Sequence, residues 1–316
     1  MENGLVDRYN RKIDYLRISV TDRCNLRCFY CMPPSGIQKV PSQEILEYEE
    51  LIEIIKCARE LGIGKFRITG GEPLVRKGII GFIEKLTRLE IDFSLTTNGI
   101  LLNRYERDLF NAGLSRINIS LDTLKESRFS RITGGGDIRE VFSGIDAARK
   151  LNFSPIKINV VVMRGINDDE IIDFIEWGKK ELLNIRFIEF MPLSREDYFY
   201  PLKRVMDGII KEKKMVSVEV PGSGPARNFK PTGGDNIIGF ILSRSEPFCN
   251  ECNRLRLTSN GMLLPCLFSR KGVDLKKVLR EGGDMREPFY EAVSGKPEKH
   301  NLNGIVQYQY MNQIGG

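Results

Sequence analysis

Short runs rich in β-branched and aromatic residues recur at Leu16–Val20, Lys65–Thr69, Phe93–Thr97, Arg116–Leu121, Pro155–Met163 and Ile185–Met191. Between them the apolar positions take helical spacing. Ser42–Leu61 carries Leu46, Leu51, Ile54, Ile55 and Ala58 on one side, and Asp168–Leu183 carries Ile171, Ile172, Ile175 and Leu182. Ser42 ahead of acidic residues marks a helix start, and Gly62 and Gly113 mark helix ends. Strands alternating with helices predict parallel βαβ units with right-handed crossovers. The class expected is α/β, a partial (β/α)6 TIM-like barrel, with a doubly wound open sheet as the structural alternative. Either fold places functional residues at the C-terminal ends of its strands.

The rhythm breaks after Pro192. The pattern then predicts a helix from Pro201 to about Lys213, strands at Val216–Val220, Asn236–Leu242 and Arg254–Thr258, and a hairpin at Asn260-Gly261. The expected division is residues 1–200 for the partial barrel and 201–316 for a smaller C-terminal region.

Composition narrows the classes. In 316 residues, 41% are hydrophobic and 28% charged, which argues against intrinsic disorder. No run approaches the roughly 18 uncharged apolar residues of a membrane helix, and the first residues lack a signal-peptide pattern. A cytoplasmic, soluble chain with no membrane partner is expected. Lysine and arginine exceed aspartate and glutamate by 48 − 42 = 6. That excess suits a phosphate-bearing ligand or nucleic acid without choosing between them. A single histidine, His300, argues against Ser-His-Asp or Cys-His nucleophiles and against metal sites with two His ligands.

Seven cysteines divide as three, three and one. Cys24, Cys28 and Cys31 form CxxxCxxC directly after the first strand, Cys249 and Cys252 form CxxC followed by Cys266, and Cys57 lies on the apolar side of a predicted helix, as core. Three readings apply to each trio. Disulfides do not suit a reducing compartment. Zinc needs a fourth ligand, which for the second trio Cys57 is a candidate to lend. A four-iron cube can be held at three corners, leaving its fourth iron open to a small molecule.

The first trio, with Tyr30 just before its last cysteine and Gly70-Gly71-Glu72-Pro73 after the second strand, resembles the radical S-adenosylmethionine (SAM) superfamily. The second trio, followed by Asn253-Arg254-Leu255-Arg256-Leu257 and Pro265-Cys266-Leu267-Phe268, is similar to the GTP 3′,8-cyclase family of molybdenum cofactor biosynthesis. The similarity extends to Asp14–Val20, Phe66–Thr69, Thr96–Gly99, Ser120–Asp122, Phe187–Pro192, Gly224–Arg227 and the terminal Gly315-Gly316, in the same order over nearly the whole chain. One departure is Pro247 where the family often has His.

The resemblance implies two four-iron, four-sulfur clusters, on Cys24, Cys28 and Cys31 and on Cys249, Cys252 and Cys266. It implies SAM at the first, contacted by Tyr30, Gly71, Ser120 and Met191. GTP would meet the second cluster's open iron and Arg17, Arg67, Thr97 (or Thr96), Lys157, Arg254, Leu255 and Arg256. A 5′-deoxyadenosyl radical formed from SAM would take the 3′ hydrogen of GTP, giving 3′,8-cyclo-7,8-dihydroguanosine 5′-triphosphate, with Gly315 and Gly316 entering the catalytic cavity. Expected partners are a flavodoxin or ferredoxin as electron donor and cyclic pyranopterin monophosphate synthase as product acceptor, with monomer and homodimer both open. Two other readings compete. A two-cluster radical SAM enzyme acting on peptides shares the scaffold, and a zinc-stabilised nucleic-acid-binding protein would account for CxxC and the net charge.

Overall fold

In the computed structural model the described residues are 4–33, 35–191, 198–220, 224–269, 271–300 and 311–315. Along the chain run β1 (Tyr15–Ser19), α1 (Tyr48–Glu60), β2 (Lys65–Thr69), α2 (Ile79–Arg88), β3 (Phe93–Thr97), α3 (Leu102–Asn111), β4 (Ile117–Ser120), α4 (Glu126–Thr133), α5 (Ile138–Lys150), β5 (Ile156–Val162), α6 (Ile171–Glu181) and β6 (Asn184–Glu189). Then follow α7 (Leu202–Glu212), β7 (Met215–Ser217), β8 (Arg227–Pro231), β9 (Ile238–Ile241), β10 (Arg254–Leu257), β11 (Met262–Leu264), β12 (Val273–Asp274), α8 (Leu275–Arg280) and α9 (Arg286–Ser294). Among the described residues, no helix is long and apolar enough to cross a membrane.

The six expected β runs are strands to within two residues at each end. The start of α1 is a correction. Ser42 opens only a short 3₁₀ turn, and the helix begins at Glu47, where Glu47 and Glu50 form a reciprocal capping box. The box wins because it satisfies two orphan N–H groups at the point where apolar spacing begins. Cys57 is buried on α1, and burial pushes its thiol up to about 11.

Contacts divide the chain into two units. One covers residues 1–96, 111–114 and 249–316, and the other 97–110 and 115–248. In the first, β10, β1, β2 and β3 pair parallel in that order, and β11 and β12 extend the β10 side antiparallel. One face of these strands packs Leu16, Ile18, Phe66, Ile68, Leu255 and Leu257 into the core. In the second unit, β4, β5, β6 and β9 pair parallel, and β8 and β7 continue antiparallel. In its core Phe187 lies tilted against Phe240 (5.5 Å) and edge to face with Phe174 (6.3 Å).

Polar residues of two motifs named above turn out to cap backbone. Glu189, at the end of β6, is fully buried and accepts N–H groups from Leu202, Arg244 and Ser245. Asp122 accepts Val161 N–H, and Asn167 donates to the Asp122 carbonyl. These side chains satisfy backbone N–H and C=O groups that would otherwise be buried unpaired.

Candidate active site

The first trio occupies the loop leaving β1. Cys28 and Cys31 flank a tight turn, in which Cys31 N–H donates to the Cys28 carbonyl (2.9 Å), and Leu26 N–H points at Cys24 Sγ (3.4 Å). All three cysteines are half-buried thiols outside any disulfide. Tyr30 is half-buried beside Phe29, edge to face. The glycine turn after β2 runs directly against this loop. Gly71 N–H donates to Thr21 O and Glu72 N–H to Arg23 O. A Cβ at Gly70 would lie 2.7 Å from Thr21 O, and one at Gly71 would lie 2.3 Å from Arg23 O. Only glycine permits that approach.

Strand register builds a row of charge. Arg17 on β1 is paired with Arg256 on β10 and with Arg67 on β2, so three guanidiniums share one face. Tyr15 pairs with Arg254 one repeat earlier, and its hydroxyl accepts from Arg67 Nε. Loss of solvent first, then Arg256, holds Arg17 well below its ordinary value, and burial followed by Arg254 pushes Arg256 down to about 10. Burial alone would raise the Tyr15 phenol, but Arg67, Arg17 and Arg254 together bring it below its usual value. A buried cationic row of this kind is stabilised by an anion with several oxygens, which returns hydrogen bonds and charge together.

One expectation is corrected by this geometry. The arginines project from within their strands rather than from the C-terminal ends, because β1, β2 and β10 alternate a core face with a polar one. Leu255, expected beside GTP, turns its side chain to the core at 0% exposure, leaving only its main chain to face a ligand.

The second trio lies at the other end of β10. Cys249 and Cys252 precede the strand, and the Thr258–Met262 turn, with Gly261 at φ +87°, reverses the chain so that β11 brings Cys266 back beside Arg254. Lys296, 1% exposed, donates to Cys252 Sγ (3.5 Å), Arg254 O (2.7 Å) and Pro265 O (2.8 Å). Burial would raise the Cys252 thiol, but Lys296 and Arg254 bring it below its ordinary value; burial raises Cys266. His300 Nδ1 sits 2.9 Å from Cys249 Sγ. Neither Lys296 nor His300 was expected here from the sequence. Their neighbours in the chain form no motif, and a lone late histidine reads as outside the chemistry.

Parallel pairing of β1 with β10 therefore sets the two trios at opposite ends of one strand pair, with the arginine row between them. Gly315 enters the same face. Its φ is +71°, and a Cβ would lie 2.7 Å from Thr69 Cγ2 at the end of β2. Its carbonyl accepts from Arg17 Nε (3.2 Å) and Arg256 Nη1 (2.7 Å), and Asn312 Nδ2 donates to Asp22 O at the first cysteine loop. Gly316 lies outside the described residues. Of the two candidate threonines, Thr96 shares the face of Arg67, whose Nη1 approaches its hydroxyl (3.4 Å).

In the second unit Thr97 Oγ1 accepts Gly99 N–H. Ser120 ends β4 and Met191 follows β6, each half-buried, whereas Lys157 is the second residue of β5, near its N-terminal end.

Comparison with known proteins decides the family. Residues 18–178 match the Radical SAM superfamily and residues 183–302 match Molybdenum Cofactor Synthesis C. A GTP 3′,8-cyclase of Thermodesulfovibrio yellowstonii is 50% identical over 98% of this chain and 99% of its own. One from Petrotoga mobilis is 44% identical over 99% of this chain and 100% of its own. The chain belongs to the GTP 3′,8-cyclase family. Among solved structures, Streptococcus suis SuiB bound to S-adenosylmethionine has a TM-score of 0.62 at 16% identity, over 90% of this chain and 69% of that one. That likeness concerns the fold, and it bears out the α/β class with a parallel core.

The family's cofactors are SAM and iron–sulfur clusters, and the donor sets here fit them. Each trio consists of thiols, the soft ligands iron–sulfur clusters take. At the second, a buried ammonium and a guanidinium favour the thiolate form that binds metal. At the first, a main-chain N–H faces sulfur, and the glycine turn leaves backbone exposed to close approach.

Proposed function

We propose that the chain converts GTP to 3′,8-cyclo-7,8-dihydroguanosine 5′-triphosphate, the first step of molybdenum cofactor biosynthesis. When bound, the first cluster with SAM would supply the radical chemistry that hydrogen abstraction from GTP needs. The chain's own residues do the rest. Cys24, Cys28 and Cys31 hold the first cluster, and Cys249, Cys252 and Cys266 hold the second. Tyr30 and the Gly71 backbone border SAM. The observation that carries this reading is the row Arg256–Arg17–Arg67 between the trios. Its three guanidiniums offer a triphosphate paired, planar donors, and Arg254 joins them from the second trio's side. For the threonine contact, favoured at Thr97 in the sequence, the geometry supports Thr96. Gly315 narrows the strand-end side of the face, and Gly316 continues the tail. The roles of Ser120 and Met191 toward SAM, and of Lys157 toward GTP, rest on the motif match. The barrel portion would end near residue 200. A flavodoxin or ferredoxin would deliver electrons, and cyclic pyranopterin monophosphate synthase would take the product, in the cytoplasm.

Anaerobic reconstitution with iron and sulfide, followed by SAM, a reductant and either GTP or peptides, tests this. About eight irons per chain and a cyclised GTP product are expected. About four irons, or turnover of peptides and not GTP, would overturn the substrate assignment.

A further inference from the structure

One residue beyond α9 the chain runs Lys296-Pro297-Glu298-Lys299-His300, and both ends of this pentapeptide touch the second trio. Lys296 gives Cys252 Sγ one of its three donors, the others going to Arg254 O and Pro265 O. An ammonium buried this deeply is costly unless an anion faces it. His300 Nδ1 meets Cys249 Sγ at 2.9 Å, with its ring held against Phe268 (centroids 5.2 Å apart). A cluster-bound sulfur carries no hydrogen, so the imidazole must be the donor.

The placement is built from both sides. Arg11, paired with buried Asp7 at 2.6 Å, donates from Nη1 to Cys249 O (2.6 Å) and Glu298 O (3.1 Å), and from Nη2 to Pro297 O (2.8 Å). One guanidinium thus clamps the cysteine and the pentapeptide together.

We propose that Lys296 and His300 are positioning residues that donate hydrogen bonds to the Cys252 and Cys249 sulfurs and so raise the reduction potential of the second cluster. Reduction adds negative charge, and donors aimed at the ligating sulfurs favour the reduced form. The inference rests on the second trio holding a cluster, as argued above.

The test is an EPR-monitored redox titration of the reconstituted full chain, with the first cluster, recognised by its response to SAM, as internal reference. His300→Ala should lower the second midpoint. At the wild-type midpoint the reduced-to-oxidised ratio should fall about tenfold, the scale of one charge-assisted hydrogen bond, or about 59 mV for one electron. His300→Asn, whose amide N–H can replace Nδ1–H, should restore most of it. Lys296→Met should shift the midpoint further in the same direction, and if that variant loses the cluster, the His300 pair decides alone. A midpoint unmoved in His300→Ala with about eight irons retained overturns the inference by itself. So does nitrogen coupling that shows the imidazole bound to iron. A wild-type chain that takes up only about four irons overturns the cluster reading and this inference together.

Discussion

Around Cys24, Cys28 and Cys31 the chain is shaped by its own main chain: a turn from Cys31 N–H to Cys28 O, Leu26 N–H on Cys24 Sγ, and two glycines whose missing Cβ atoms let backbone lie on Thr21 and Arg23. Around Cys249, Cys252 and Cys266 long side chains do the shaping, Arg11, Lys296 and His300 from distant segments and Arg254 from the adjoining strand. The first arrangement suits a site where a small cofactor must approach backbone closely. The second surrounds its thiols with positive charge, as an anionic cluster facing an anionic substrate requires. Two trios of cysteines, one compact and one closed by a remote third member, thus sit in two electrostatic settings.

Removing ligands breaks the comparison most completely. Cys28→Ala should abolish release of 5′-deoxyadenosine from SAM. Cys252→Ala should leave that release measurable while abolishing cyclised GTP, and each variant should retain about four irons. Equal effects of the two on SAM cleavage would mean that the sites do not divide the chemistry. The tail touches the first loop through Asn312 and the arginine row through Gly315, at Arg17 and Arg256. Deleting Gly315 and Gly316 should therefore abolish cyclisation while leaving iron content unchanged, and full turnover after deletion would remove the tail from the site.

Smaller changes sharpen the contrast. Gly71→Ala forces a methyl group onto Arg23 O. It should cost about 1–3 kcal/mol in denaturant unfolding, the range of overpacking, and lower first-cluster iron alone. Arg256→Ala should weaken GTP binding by about 1.5–3 kcal/mol, roughly 10- to 150-fold in Kd, with both clusters intact. Isothermal titration with GTP reads this directly, and unchanged affinity would take Arg256 out of substrate recognition.

The first site was largely legible in the sequence because its parts are local. CxxxCxxC and Gly70-Gly71 each follow a strand, and glycine's use is decided by backbone approach within a few residues. Arg254 and Arg256 were legible as a pair by alternation alone. Their alignment with Arg17 and Arg67 was not, since it depends on β10 pairing with β1 across more than two hundred residues. The same holds for Arg11 and Cys249, separated by 238 positions.

Local periodicity and cysteine spacing thus determined the first six strands, the helical rhythm between them and the two sets of thiols, because each is fixed by the geometry of neighbouring residues. Tertiary pairing alone decided that Leu255 faces the core, that Thr96 rather than Thr97 meets Arg67, and that Lys296 and His300 close on sulfur. Those outcomes depend on strand register and on burying charges beside opposite ones, which no short stretch of chain can encode by itself.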